Sequence, residues 1–372
     1  MLIPAGQPGW VPVIDLEARH LIQGAELDPP RTSLDRMVDH LAARCRLPQV
    51  VERHLVPVPA PSGGYPIQDD GYARAFDPVL EEREFQECWQ RHGIVVGRSV
   101  TSPGVAARAA ARAMDLVRQL GDDGDGSRPA DPRGVPFVSR GFLELYHDRA
   151  LADIRQSIRL YVHHVLIWGR TDLWTSFDRM GLKEPGTPGA ADLPLHVDQN
   201  PLLQPGFETV QGVLVLEDCP LERGTFVGAA GSRASFDGYR QWAGRGDYVE
   251  LPAGAAMRDT LDPRPLPVRA GDLVTWDSRT THANSANVSG SCRVVAYVAA
   301  GPARQDQPAM VQARREAFLS GEGSNLRGAL MHASMRPRFQ DLPRLAALRV
   351  PEELTSLGRM LYGLDAWPGR AA

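Results

Sequence analysis

The stretch from residue 171 to residue 300 is a succession of short apolar segments, and this pattern constrains the fold more than any other feature of the chain. Each segment is followed by glycine, proline or aspartate, which end strands and form turns. Many short strands in succession predict a β-sandwich or a β-barrel. The segments are LWTSF, LPLHVD, TVQGVLVL, GTFVGA, GDLVTW, THANS and CRVVAYV.

Helical patterns flank this region on both sides, because apolar residues there recur at intervals of three and four. Helices are predicted at 33–46, 77–92, 105–120, 148–168, 309–319 and 351–361, with a strand at 94–97 and an exposed loop at 121–134. The 372 residues are therefore predicted to form a single domain of the mainly β or α+β class. Its parts are an N-terminal helical cover (1–169), a β core (170–300) and a C-terminal helical extension (301–372).

The composition narrows the classes of partner. A net charge of −4 does not provide the basic face that nucleic-acid binding requires, so a small molecule is the expected partner. The four cysteines are widely separated and form no CxxC pair, which indicates neither a zinc ribbon nor a disulfide framework. No apolar run is long enough to span a membrane and the N-terminus does not resemble a signal peptide, so a cytoplasmic location is expected. The sequence does not indicate an oligomeric state.

A possible metal site begins in the segment LPLHVDQNP, residues 193–201. In an extended strand alternate side chains share a face, so His196 and Asp198 are predicted to point the same way. Two histidines and one carboxylate form the facial triad of non-haem iron(II) oxygenases. His282, which follows an apolar strand and a turn, is the best candidate for the second histidine. His163 and His164 lie in a helical pattern and are less suitable.

Arg293 follows His282 by eleven residues, on a strand predicted at 292–298. The alternation of that strand places Arg293 on the same face as Val295 and Tyr297. A buried arginine needs an anionic partner. The partner is either a dicarboxylate bound near the metal or an internal acid such as Asp272 or Asp277.

Together, the HVD segment, the distant His282 and Arg293 resemble the iron(II)/2-oxoglutarate-dependent oxygenases of the phytanoyl-CoA dioxygenase-like superfamily. The resemblance covers roughly residues 193–300. It implies a double-stranded β-helix, or jelly roll, and a requirement for iron(II), 2-oxoglutarate and O2. The chain departs from the family where Ala230-Gly231-Ser232-Arg233 replaces a typical Pro-Gly-Ser-His segment.

The resemblance also implies roles for individual residues. Arg293 would pair with the far carboxylate of 2-oxoglutarate, and Gln211, Asn284 and Ser285 would make secondary contacts to it. Related halogenases have a small residue in place of the carboxylate ligand, so Asp198 argues against halogenation.

Four further residues are candidates for substrate binding, each with a structural alternative. Trp174 would line the pocket or belong to the core. Gln199 and Asn200 would face the substrate or satisfy backbone groups of a turn. Arg233 would bind an anionic substrate or be solvated.

The predicted function is that of an iron(II)- and 2-oxoglutarate-dependent dioxygenase that oxidises a small molecule, with hydroxylation as the first expectation and release of succinate and CO2. Specialised-metabolite biosynthesis is the expected setting. The alternative is a non-oxidative cupin-like metal-binding protein or isomerase that uses the same ligands, in which Arg293 would have no cosubstrate to bind.

Overall fold

We analysed a computed structural model of the chain. It describes residues 10–24, 31–55, 64–121, 138–139, 141–143, 145–186, 194–246, 248–324, 334–335, 347 and 349–368. Apart from Gly121, the loop predicted at 121–134 lies outside these residues. Within the described ranges, no helix is both long enough and apolar enough to cross a membrane.

The helices lie mostly before and after the strand-rich region, as predicted. They are α1 (Leu16–Gln23), α2 (Arg31–Cys45), α3 (Pro48–Leu55), α4 (Glu82–His92), α5 (Pro103–Gly121), α6 (Arg149–Arg155), α7 (Ile158–Trp168), α8 (Pro308–Ser320) and α9 (Ser356–Leu361). Two 3-10 helices, Ser232–Trp242 and Ala256–Thr260, lie between strands.

Most of the strands are short, with two to six residues each. They are β1 (Ala75–Phe76), β2 (Ile94–Gly97), β3 (Val138–Ser139), β4 (Phe142–Leu143), β5 (Leu173–Thr175), β6 (Met180–Lys183), β7 (His196–Val197), β8 (Val210–Val215), β9 (Phe226–Ala229), β10 (Val249–Glu250), β11 (Pro263–Leu266), β12 (Leu273–Asp277), β13 (His282–Asn284), β14 (Arg293–Tyr297), β15 (Ala300–Pro302), β16 (Gly323–Ser324) and β17 (Ser334–Met335).

Two sheets form the jelly roll that the sequence predicts. The larger has eight strands in the order β1-β2-β12-β8-β14-β6-β4-β3, and the smaller has five in the order β10-β7-β13-β9-β11. Four strands of the larger sheet, β1 to β4, come from the predicted N-terminal cover. The β core is therefore not confined to residues 170–300, because the early part of the chain completes one of its sheets.

Strand β14 shows how the larger sheet separates two apolar layers. Val294 and Ala296 belong to a cluster with buried residues of α5, whereas Val295 belongs to the cluster that includes Phe226 and Trp276 between the sheets. Because neighbouring side chains on a strand alternate, Arg293 and Tyr297 share the inner face with Val295. The alternation predicted for this strand is confirmed.

Two helices differ from the prediction in where they begin or break. Asp77 accepts hydrogen bonds from the backbone amides of Val79 and Leu80, which holds a turn there, and α4 begins only at Glu82. The helix predicted at 148–168 is divided into α6 and α7 at Gln156 and Ser157. Periodicity alone did not indicate either interruption.

Candidate metal centre

His196 and His282 lie directly opposite each other on neighbouring antiparallel strands, β7 and β13. Opposite residues on paired strands point to the same face, so both imidazoles enter the space between the sheets. Their ring centroids are 4.2 Å apart. Asp198 follows β7, with Oδ1 3.6 Å from Nε2 of His196 and Oδ2 3.0 Å from Nε2 of His282.

One ligand atom from each of these three residues lies within 4.8 Å of the other two, and no other such group of histidines, cysteines and acids occurs in the described part of the chain. The Nδ1 atom of His196 is 2.8 Å from the carbonyl oxygen of Pro194, and that of His282 is 3.0 Å from that of Thr280. These contacts fix the rings with Nδ1–H donating and Nε2 directed at Asp198. Two Nε2 atoms and one carboxylate fit the iron(II) facial triad.

The electrostatics suit a cation. Burial alone would raise the pKa of Asp198, but the imidazoles of His282 and His196 hold it far below its usual range, so the carboxylate is ionised. Burial opposes protonation of His196, yet the hydrogen bond and the charge of Asp198 raise its pKa overall. The site therefore presents a partly buried negative charge between two nitrogen ligands.

Aromatic side chains enclose one side of the triad. Trp276 on β12 donates a hydrogen bond from Nε1 to Oδ2 of Asp198 at 3.3 Å, and its ring lies 4.9 Å from that of His282. Phe226 stacks on His282 at 5.6 Å. Gly228 lies opposite His282 on β9, and a Cβ there would come within 2.7 Å of the Phe226 ring, so glycine is needed for this packing.

Arg293 is 6% exposed on the inner face of β14. Its Nη1 donates to the carbonyl of Gly224 at 2.6 Å and to Oδ1 of Asn284 at 3.2 Å. The buried Nε has no hydrogen-bond partner, and no described carboxylate forms an ion pair with this guanidinium. Such a buried cation lacks an anion that a bound dicarboxylate would supply.

The two internal acids considered as partners of Arg293 are engaged elsewhere. Asp272 accepts a hydrogen bond from the backbone amide of Ser99. Asp277 is fully buried and pairs with Arg279 at 2.6 Å and with Arg233 at 3.5 Å. Neither of them pairs with Arg293.

The other predicted cosubstrate residues lie near Arg293 or the triad. Gln211 is directly opposite Trp276 across β8 and β12, and its buried Nε2 has no hydrogen-bond partner among the described residues. Asn284 accepts from Arg293 and so orients the guanidinium. Ser285 holds its hydroxyl 3.2 Å from that of Thr225. All three remain predictions as cosubstrate ligands.

The hydrogen bonds of Gln199 and Asn200 favour the structural alternative, in which the two side chains satisfy backbone groups of a turn. The amide of Gln199 donates to the carbonyls of Gln204 and Gly206 and accepts from the backbone of Thr209. Asn200 donates to Gly244 and Gly246, and both side chains are fully buried. They shape the loop that follows the metal strand.

Trp174 and Arg233 both contact other side chains or backbone groups inside the protein. Trp174 is 1% exposed and packs beneath the guanidinium of Arg314, 5.0 Å from its ring. Arg233 donates to the carbonyl of Gln90 and pairs with Asp277. These contacts favour the core interpretation of Trp174, and they replace the solvated interpretation of Arg233 with an internal ion pair.

Sequence reasoning missed two polar neighbours of the site. Lys183 lies directly opposite Arg293 across β6 and β14, and its Nζ donates to the carbonyl of Ser285 at 2.6 Å. The indole of Trp276 is a hydrogen-bond donor to the carboxylate of the triad. The pairing of distant strands brings both to the site, and a single sequence does not reveal that register.

Comparison with known proteins gives the family. Residues 89–295 match the family described as phytanoyl-CoA dioxygenase (PhyH), which is more than half of the chain. The chain belongs to this family. Iron(II) is accordingly its metal and 2-oxoglutarate its cosubstrate, in agreement with the triad. A search of curated proteins finds no match.

Solved structures are similar to the chain at low sequence identity. AviO1 from Streptomyces viridochromogenes Tue57 is 21% identical over 61% of this chain and 96% of its own, with a TM-score of 0.43. The epimerase SnoN, solved with Fe3+, alpha ketoglutarate and nogalamycin RO, is 18% identical over 61% and 85%, with a TM-score of 0.43. The hypothetical protein JW0805 from Escherichia coli is 14% identical over 93% of both chains, with a TM-score of 0.55. The likeness to JW0805 indicates a similar fold over 93% of this chain.

Proposed function

We propose that this member of the phytanoyl-CoA dioxygenase family is a dioxygenase that hydroxylates a small molecule, with specialised-metabolite biosynthesis as its setting. His196, Asp198 and His282 would hold iron(II), and Arg293 would bind the far carboxylate of 2-oxoglutarate. Bound iron(II) would supply the oxidising chemistry, with O2 consumed and 2-oxoglutarate converted to succinate and CO2. The observation that carries the proposal is a triad of two buried histidines and a partly buried aspartate, together with a buried Arg293 that forms no ion pair with a carboxylate of the described residues.

The chain's own residues would bind the metal, orient the groups that bind the cosubstrate and keep water away from the centre. The carbonyls of Pro194 and Thr280 fix the imidazole tautomers, so that both Nε2 atoms are available to the metal. Gly224 and Asn284 orient the guanidinium of Arg293 before any anion arrives. Phe226 and Trp276 exclude water from one side of the triad, which limits side reactions.

The test is an anaerobic titration of the protein with iron(II) and 2-oxoglutarate, monitored by the visible charge-transfer absorption of the chelate. We expect the band in the wild type and in Arg264→Ala, a control on β11 whose side chain is 61% exposed. In Arg293→Ala the half-saturating 2-oxoglutarate concentration should rise at least about tenfold, because the charge-assisted hydrogen bonds are lost. Absence of the band from the wild type would overturn the proposal and favour the non-oxidative cupin-like alternative.

The reaction type has its own measurement. Hydroxylation requires that the product gain one oxygen atom from O2 for each succinate formed, which mass spectrometry with 18O2 detects. A product formed without oxygen gain would contradict hydroxylation and leave the cosubstrate assignment intact.

A further inference from the structure

The edge of the smaller sheet places a carboxylate beside the metal centre. On β10, Glu250 lies directly opposite His196 of β7, and Val249 lies opposite Val197. Val249 and Val197 are both buried in the apolar cluster behind this sheet, with Phe236. Since side chains alternate on a strand, Glu250 shares the other face with His196, which is the face of the metal triad.

Tyr248, just before β10, also lies near His196. It is two residues before Glu250 and has its ring centroid 6.0 Å from that of His196, at an interplanar angle of 82°. Its hydroxyl donates to Oε1 of Glu250 at 3.3 Å, which orients the carboxylate. Tyr248 is 51% exposed and Glu250 is also exposed, so both side chains are accessible to a ligand from solvent.

The loop leading into β10 is held in place from the metal strand. Asn200 donates hydrogen bonds from its buried amide to the carbonyls of Gly244 at 2.9 Å and Gly246 at 2.8 Å. The same side chain accepts from the backbone amide of Leu202. Asn200, four residues after His196, thus holds the backbone of Gly244 and Gly246 a few residues before Tyr248.

The carboxylate of Glu250 has no ion pair with a lysine or arginine in the described ranges. Some exposed acids elsewhere do have one: Asp70 pairs with Arg269 at 2.5 Å, and Asp262 with Arg264 at 2.6 Å. A carboxylate beside an aromatic ring is a combination that binds ammonium groups, through a charge-assisted hydrogen bond and a cation–π contact.

We propose that Glu250 and Tyr248 recognise a protonated amine on the substrate. This inference rests on the proposed function, because it places the amine beside the oxidising centre of the same pocket. Opposite residues on paired strands have Cβ atoms about 5 Å apart, so an ammonium bound at Glu250 leaves carbon atoms a few bonds away close to the triad. The substrate class is therefore an aliphatic amine that is protonated at neutral pH.

The test uses benzylamine, phenethylamine and tryptamine as probes, each with its N-acetyl derivative. Binding to the metal-free protein is measured by ligand-observed NMR and calorimetry, so no turnover is needed. The variant is Glu250→Gln, which keeps the side-chain shape, and the matched control is Glu316→Gln on the exposed surface of α8. Circular dichroism verifies that both variants are folded.

We expect at least one amine to bind the wild type and the control at least about tenfold more tightly than its N-acetyl derivative. Glu250→Gln should lose that preference. The inference is overturned if no amine binds, if the N-acetyl derivatives bind equally well, or if Glu250→Gln retains the preference. The charge-transfer band of the wild type decides the proposed function separately: a band without Glu250-dependent amine binding refutes only the substrate class, and amine binding without a band refutes only the oxygenase.

Discussion

Two pairs of histidines are buried in the described part of the chain, and only one of them belongs to the candidate metal centre. His196 and His282 have ring centroids 4.2 Å apart, and His163 and His164 of α7 have theirs 5.2 Å apart. All four are at most 5% exposed. The difference is Asp198, whose carboxylate oxygens contact both rings of the first pair. Proximity of imidazoles is therefore not sufficient for a site.

Backbone geometry explains the contrast. Residues opposite each other on paired strands point to the same face, whereas consecutive residues of a helix diverge. His163 is 2.8 Å through Nε2 from the Thr275 hydroxyl, and His164 is 3.0 Å through Nδ1 from the Leu160 carbonyl of its own helix. The two rings thus serve separate structural contacts.

The pKa values follow the same division. Burial lowers the pKa of His164 to about 4, and burial with the neighbouring His164 lowers that of His163. For His196, burial is outweighed by Asp198 and the pKa is raised. The helical pair is a neutral part of the core, and the strand pair is bound electrostatically to a carboxylate.

The largest effect is expected from removing the carboxylate of Asp198, which distinguishes the two histidine pairs. Asp198→Ala should lower the affinity for iron(II) more than about 100-fold, because loss of a direct ligand exceeds the loss of an outer hydrogen bond. Anaerobic equilibrium dialysis measures the bound metal, and succinate formation should fall to background. Near-wild-type affinity would mean that the two histidines bind the metal without the carboxylate.

The converse change tests the helical pair. His163→Ala should lower the free energy of unfolding by about 3 kcal/mol, since it leaves a cavity and an unsatisfied Thr275 hydroxyl in the core. Denaturant unfolding measures this loss. Iron(II) affinity of the folded variant should match the wild type, and a large loss of affinity would contradict the separation of the two pairs.

The pH dependence of stability sharpens the comparison further. The unfolded chain protonates His164 near pH 6.5, whereas the folded protein does so only near pH 4, so acid favours the unfolded state between these values. His164→Leu removes this titrating group and therefore the pH dependence of stability that it causes. Between pH 7 and pH 5 the wild type should lose about 2 kcal/mol more unfolding free energy than His164→Leu. Parallel pH profiles from denaturant titrations would refute the assignment.

The grouping of the three candidate metal ligands was predictable because part of the evidence is local. His196 begins β7 and Asp198 directly follows that strand, and the apolar segment before His282 indicated another strand. The environment of Arg293 was less accessible: Lys183 and Gly224 come from strands and turns far away in sequence. The role of Glu250 depends on a two-residue edge strand whose register no pattern indicates.

The N-terminal strands show the same limit. The apolar run of β2 was recognised, but its place beside β12 in the larger sheet depends on long-range pairing. The residues predicted as substrate contacts also illustrate it. Asn200 was compatible with a turn or a pocket, and only the positions of the Gly244 and Gly246 carbonyls show which groups it satisfies.

The smallest expected effect concerns the support of Asp198. Trp276→Phe removes the 3.3 Å hydrogen bond to Oδ2 but retains an aromatic ring against both Phe226 and His282. Loss of an outer hydrogen bond to a metal ligand should weaken iron(II) binding about tenfold. The matched control is Trp168→Phe, which removes an indole hydrogen bond to the Ala300 carbonyl outside the triad and should leave metal affinity unchanged. Equal iron(II) affinities of the two variants in anaerobic dialysis would show that the carboxylate is held without the indole.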